Sequence, residues 1–147
     1  MSNRIRSALV FFSVTLALSL LAANAYGQTD KSLFSEYKGI KIGVATDAVR
    51  AKLGSPKDRS DNLDLYTFSN NESVQFYYTA KVVNAIVITY TGDLKGAPLA
   101  KDIFGIDVAE KDGMIFKMER YPKAGYWVSY TRTSGNDAMV NIAIQKM

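Results

Sequence analysis

Two stretches of the sequence, residues 63–91 and 114–147, alternate apolar and polar residues in short segments broken by turn formers. That pattern restricts the chain to an antiparallel sheet whose two faces differ in polarity. The first stretch divides into Leu63–Ser69, Ser73–Thr79 and Val82–Thr91, the second into Met114–Tyr121, Tyr126–Arg132 and Ala138–Met147. Asn70-Asn71, Pro122 to Gly125 and Ser134 to Asp137 supply turn chemistry at the joints.

Alternation assigns the faces. In the second stretch Met114, Phe116 and Met118 read as core, together with Tyr126, Val128, Tyr130, Val140, Ile142 and Ile144. The opposite face then carries Lys117, Glu119, Tyr121, Trp127, Ser129, Thr131, Asn141 and Gln145. In the first stretch Val74, Phe76 and Tyr78 read as core and Gln75, Tyr77 and Thr79 as outer. Val82–Thr91 is apolar on both faces, which predicts a central strand or one covered on both sides.

Short helices are expected before each stretch. Thr46 or Asp47 can cap one through Leu53, with Val49 and Leu53 four apart, Gly54 as the stop and Pro56 beyond it. Pro98 can open another, with Leu99 and Ile103 four apart and Gly105 as the stop. A third is expected over 31–38, capped by Thr29 or Asp30, with Leu33, Phe34 and Tyr37 inward and Gly39 at its end. The expected fold class is α+β: a tandem repeat of a short helix plus a three-stranded antiparallel meander, the helices packed on one face of the sheet. Its halves would span about 30–92 and 97–147.

The N-terminus reads as a leader. Asn3, Arg4 and Arg6 precede an uncharged run, Ser7 to Ala23, that ends in the small-x-small pattern Ala23-Asn24-Ala25. This predicts a signal peptide over 1–25, cleaved before Tyr26, and a periplasmic or secreted protein. An uncleaved anchor is the alternative that the length of the run allows. Cleavage would leave 147 − 25 = 122 residues as a single domain and, without Arg4 and Arg6, lower the net charge from +4 to +2. Charges of both signs are scattered along this remainder, which argues against nucleic acid as a partner. With no cysteine, the domain must be held by its core alone.

The stretch GIKIGVATDAVRAKLGSP, Gly39 to Pro56, resembles the helical entry motif of the small SmpA/OmlA-type outer-membrane lipoproteins, a group related in fold to the β-lactamase inhibitor proteins. Gly43, Val44, Val49, Leu53, Gly54 and Pro56 match, whereas Ala45 and Ala48 stand where Thr and Glu are usual. The resemblance implies two αβ copies whose joined sheet forms a binding surface, with Tyr77, Tyr121 and Trp127 as candidates. The missing cysteine separates the chain from the lipidated members, so a role in barrel assembly is not carried over.

Chemistry is sparse. Without histidine or cysteine there is no Ser-His-Asp or Cys-His machinery and no imidazole or thiolate metal site. Asp58, Asp61 and Asp64 recur every three residues but lack the glycine and closing glutamate of a calcium loop, and read as a solvated polar loop. Asp107, Glu110 and Asp112 read the same way. No order among the fourteen acids selects a glycosidase pair, and no phosphate-binding glycine loop is present. Asn71-Glu72-Ser73 fits the N-glycosylation acceptor pattern.

The expectation is therefore an exported, non-catalytic interaction module with no cofactor and no metal, meeting a protein partner through the outer sheet face. Tyr77, Tyr121, Trp127, Lys117 and Glu119 are its candidate contacts, since rigid aromatics among small polar groups suit recognition. The alternative is a binder of a small ligand or envelope glycan; a carboxylate enzyme comes third. Membrane contact is expected only through the cleaved leader, and the oligomeric state is left open.

Overall fold

The computed structural model describes residues 32–147. The predicted signal peptide, its cleavage site and the caps of the first predicted helix lie outside the described residues. Within them the chain forms one seven-stranded antiparallel sheet. The strands are β1 (Asp58–Arg59), β2 (Leu63–Ser69), β3 (Glu72–Thr79), β4 (Val82–Thr91), β5 (Met114–Tyr121), β6 (Tyr126–Thr133) and β7 (Met139–Lys146). Their order across the sheet is β1-β2-β3-β4-β7-β6-β5. Two helices accompany them, α1 (Thr46–Leu53) and α2 (Ala100–Phe104). None among the described residues is long and apolar enough to cross a membrane.

This corrects the expected tandem repeat of helix plus three-stranded meander. The meanders are not separate units, because β4 pairs with β7 from Ala85↔Gln145 to Thr91↔Met139 and makes one continuous sheet. The helix ending at Leu53 has its expected extent, eight residues, but the one ending before Gly105 has only five. The helix expected over 31–38 is absent from its described part. Tyr37 and Ile40 instead exchange backbone bonds of 2.9 Å around a tight turn, with Lys38 and Gly39 both at positive φ. Local spacing marked helix ends but not how little of the chain the helices would occupy.

One face of the sheet carries the core. Val74 and Phe76 of β3, Val83, Ile86 and Ile88 of β4, Val140, Ile142 and Ile144 of β7, and Val128 and Tyr130 of β6 are wholly buried. An extra residue, Asn84, makes a β-bulge between the pairs Tyr77↔Ala85 and Tyr78↔Val83, so Val83 and Ile86 both point to the core. α1 supplies Val49 to this core, α2 supplies Ala100 and Ile103, and the segment before α1 supplies Tyr37 and Ile40. Leu99, expected to pack beside Ile103, is exposed at the N-cap of α2, where its N–H donates to Asp102 at 2.7 Å.

The three covering pieces are tied down by polar contacts. Gly43 and Thr46 donate backbone N–H groups to Val83 and Lys81, at 2.8 and 2.9 Å, docking α1 beside the β3–β4 turn. The Tyr130 hydroxyl donates to the Pro98 carbonyl at 3.0 Å, holding the entry to α2. The Tyr37 hydroxyl donates to Glu72 at 2.5 Å. Below α1, Asp64 is fully buried and accepts from Arg50 Nε, Arg50 Nη2 and the Tyr78 hydroxyl, each at 2.8 Å. Asp64 therefore does not share a solvated loop with Asp58 and Asp61: it points inward because even-numbered residues of β2 face the core.

Candidate interaction face

Cross-strand register fixes what the opposite face presents, because directly paired residues of an antiparallel sheet point the same way. One row reads Leu63, Tyr77, Ala85, Gln145, Trp127, Arg120 from β2 to β5. The next reads Leu65, Gln75, Val87, Ala143, Ser129, Met118, and the third Thr67, Ser73, Thr89, Asn141, Thr131, Phe116. Neither helix contributes to this side: the buried residues of α1 and α2 belong to the core cluster on the other face.

The face has an apolar edge and a polar centre. Along β5, Met114, Phe116 and Met118 are 44 %, 55 % and 46 % exposed. In the middle, Asn141 donates to the Thr89 hydroxyl at 3.0 Å, bridging β7 and β4. At the β3 side, the Tyr77 hydroxyl donates to Gln75 at 3.2 Å and its ring is 37 % exposed. Trp127 is half-buried. Tyr77 and Trp127 lie in one row, three strand steps apart, or about 14 Å.

The other three candidates are not on this face. Tyr121, Lys117 and Glu119 pair with Tyr126, Tyr130 and Val128, respectively, on the core side, and Tyr121 is only 4 % exposed. Burial raises the Tyr121 phenol to about 12, with Glu119 and Tyr126 adding to the shift. Lys117 and Glu119 form a half-buried ion pair at 3.6 Å, and the Lys117 ammonium lies 5.4 Å from the centre of the Phe104 ring. Met114, Phe116 and Met118, expected in the core, take their place outside. The cause is the β5–β6 connection. Four residues, Pro122 to Gly125, separate the pair Tyr121↔Tyr126, so odd positions of β5 oppose even positions of β6. The even length of that loop was the available signal; matching even with even placed β5 the wrong way up.

Elsewhere, a cleft of about 580 Å³ lies at the start of α1, lined by Ala45, Thr46, Asp47, Arg50, Asp61 and Lys81. Its two carboxylates face two cations, of which Arg50 is already committed to Asp64. Thr46 does not cap its helix: Ala45 holds the N-cap position, and the Thr46 hydroxyl is buried without a partner. Asp107 pairs with Lys101 at 3.5 Å, and no group of acids among the described residues is placed to hold a metal ion.

Comparison with known proteins adds no relative: no family model, curated protein or solved structure matches the chain. The resemblance carried by Gly39 to Pro56 stands on those residues alone.

Proposed function

We propose that the protein is an exported, non-catalytic interaction module that binds a protein partner through the open face of its sheet. The observation that carries this reading is the one-sided covering. α1, α2 and the segment before α1 bury one face, while the other offers Tyr77, Trp127, Met114, Phe116 and Met118 around a polar centre. Contiguous exposed apolar side chains, such as Met114, Phe116 and Met118 along β5, mark interaction surfaces. Aromatic side chains dominate the binding energy of such surfaces, with truncation of a hot spot costing about 2 kcal/mol or more.

The cleft at α1 favours a second reading, binding of a small zwitterionic ligand between Lys81 and Asp61. A cross-linking pull-down from an extracytoplasmic fraction separates the two. The wild-type bait is expected to retain a protein that Trp127→Ala and Phe116→Ala baits, each shown folded by circular dichroism, do not. Equal retention by all three removes the open-face reading. A thermal shift with free amino acids, abolished by Lys81→Ala, would favour the cleft.

A further inference from the structure

The two ends of the sheet differ sharply. At one end β1 is two residues long and both are charged, a short edge of the kind that blocks pairing with another chain. At the other, β5 is eight residues long and pairs with β6 alone beyond its first residue. Met114 exchanges backbone bonds of 2.8 and 3.0 Å with Lys111 across the tight turn at Asp112-Gly113. Its N–H and C=O therefore point away from β6. By strand alternation so do those of Phe116, Met118 and Arg120, which have no backbone partner among the described residues. An unpaired edge with a row of exposed apolar side chains is a template for strand addition.

We propose that β5 pairs antiparallel with β5 of a second copy of this chain, on a twofold axis through Met118. Only outward-pointing groups can bond, so even-numbered residues must pair with even-numbered ones. Centring on Phe116 would need Met114, which Lys111 already occupies. Centring on Lys117 or on Glu119 sets like charges directly opposite each other, which is destabilising. Centring on Arg120 opposes Met118 to Pro122, which has no N–H to give.

The axis through Met118 satisfies every group. Phe116 exchanges two hydrogen bonds with Arg120 of the second copy, Met118 exchanges two with its own counterpart, and Arg120 exchanges two with Phe116. Lys117 stands opposite Glu119 of the second copy, twice by symmetry, at a non-hydrogen-bonded position where side chains approach most closely. The Arg120 guanidinium stands opposite the Phe116 ring, a cation–π arrangement. Ile115 stands opposite Tyr121. The exposed methionines and phenylalanines of the two copies become one central apolar strip, and the two open faces become a single face. This pairing is independent of what that face binds.

The chain has no cysteine, so single cysteines report the register cleanly. Sedimentation equilibrium of the purified protein is expected to give twice the chain mass. In the proposed register the two Met118 Cα atoms are about 5.5 Å apart, within disulfide range. Met118→Cys is expected to form a covalent dimer on mild oxidation. Phe116→Cys and Arg120→Cys form no covalent dimer alone but cross-link when mixed. Glu119→Lys, which opposes lysine to lysine, is expected to halve the mass, and Lys117→Glu with Glu119→Lys to restore it. A wild-type monomer at every concentration overturns the proposal. So does a dimer in which Met118→Cys cross-links no better than the two controls alone; the cysteine arms decide the case even if the charge variants fail to fold.

Discussion

Replacing Asp64 by alanine removes the acceptor that fastens α1 to the sheet. Asp64 has no exposed surface and receives three charge-assisted bonds of 2.8 Å, two from Arg50 in a fork and one from Tyr78. The variant leaves the Arg50 guanidinium, whose side chain is 18 % exposed, without its counter-ion and the Tyr78 hydroxyl without its acceptor. Breaking a buried pair from one side typically costs about 3–5 kcal/mol. A domain of this size loses roughly 3–5 °C of melting temperature per kcal/mol, so a fall of about 10–20 °C is expected by circular dichroism. Asp64→Asn, which keeps an acceptor of the same shape, should fall between alanine and wild type. The double variant Arg50→Met with Asp64→Leu should lose less than the sum of the single changes, because an apolar pair strands no charge. A melting point for Asp64→Ala within about 3 °C of wild type would refute the assigned role of this pair.

The two sides of β5 should respond oppositely. Tyr121→Ser is expected to destabilise by about 3 kcal/mol in urea unfolding, whereas Phe116→Ser, half of whose side chain is already in water in the single chain, should cost about 1 kcal/mol at concentrations too low for chains to pair. The reverse order would restore the face assignment read from alternation alone. Alkaline pH should unfold the protein cooperatively. Burial, with Glu72 alongside, raises the Tyr90 phenol to about 12, burial chiefly raises Tyr121 to about 12, and burial pushes Tyr37 and Tyr78 higher still. These groups bind protons more tightly when folded, so their stabilisation is complete below the unfolded phenol value of about 10 and is lost as pH rises through about 12. Phenolate absorbance at 295 nm should rise together with loss of the circular dichroism signal; full ionisation near pH 10 with the fold intact would contradict this.

Most of the strands were legible in the sequence, because alternation and turn residues act locally. Leu63–Ser69, Val82–Thr91 and Met114–Tyr121 form as read, and the doubly apolar Val82–Thr91 is the fourth strand of seven. Illegible was whatever depended on a partner distant in sequence. The joining of β4 to β7 rests on pairs 48 to 60 residues apart, such as Ile88↔Ile142. Asp64 looked like part of a polar loop because Arg50, fourteen residues earlier, is what allows its burial. Of the candidate site, Tyr77 and Trp127 lie on the open face; Tyr121, Lys117 and Glu119 do not, for the loop-parity reason given above. Lys117 and Glu119 can face inward because β5 ends the sheet. There the lysine stem can run along apolar surface towards Phe104 while its head meets Glu119.

On the proposed function, the uncovered face of the sheet meets a protein. Site-specific photo-cross-linking in intact cells tests it directly, with the reactive side chain placed at Tyr77, Phe116 or Trp127 on that face and at Lys52 or Lys101 on the helical side. Adducts heavier than a dimer of this chain are expected from the first three positions and none from the last two. Adducts from the helical side alone, or from neither side, would contradict it.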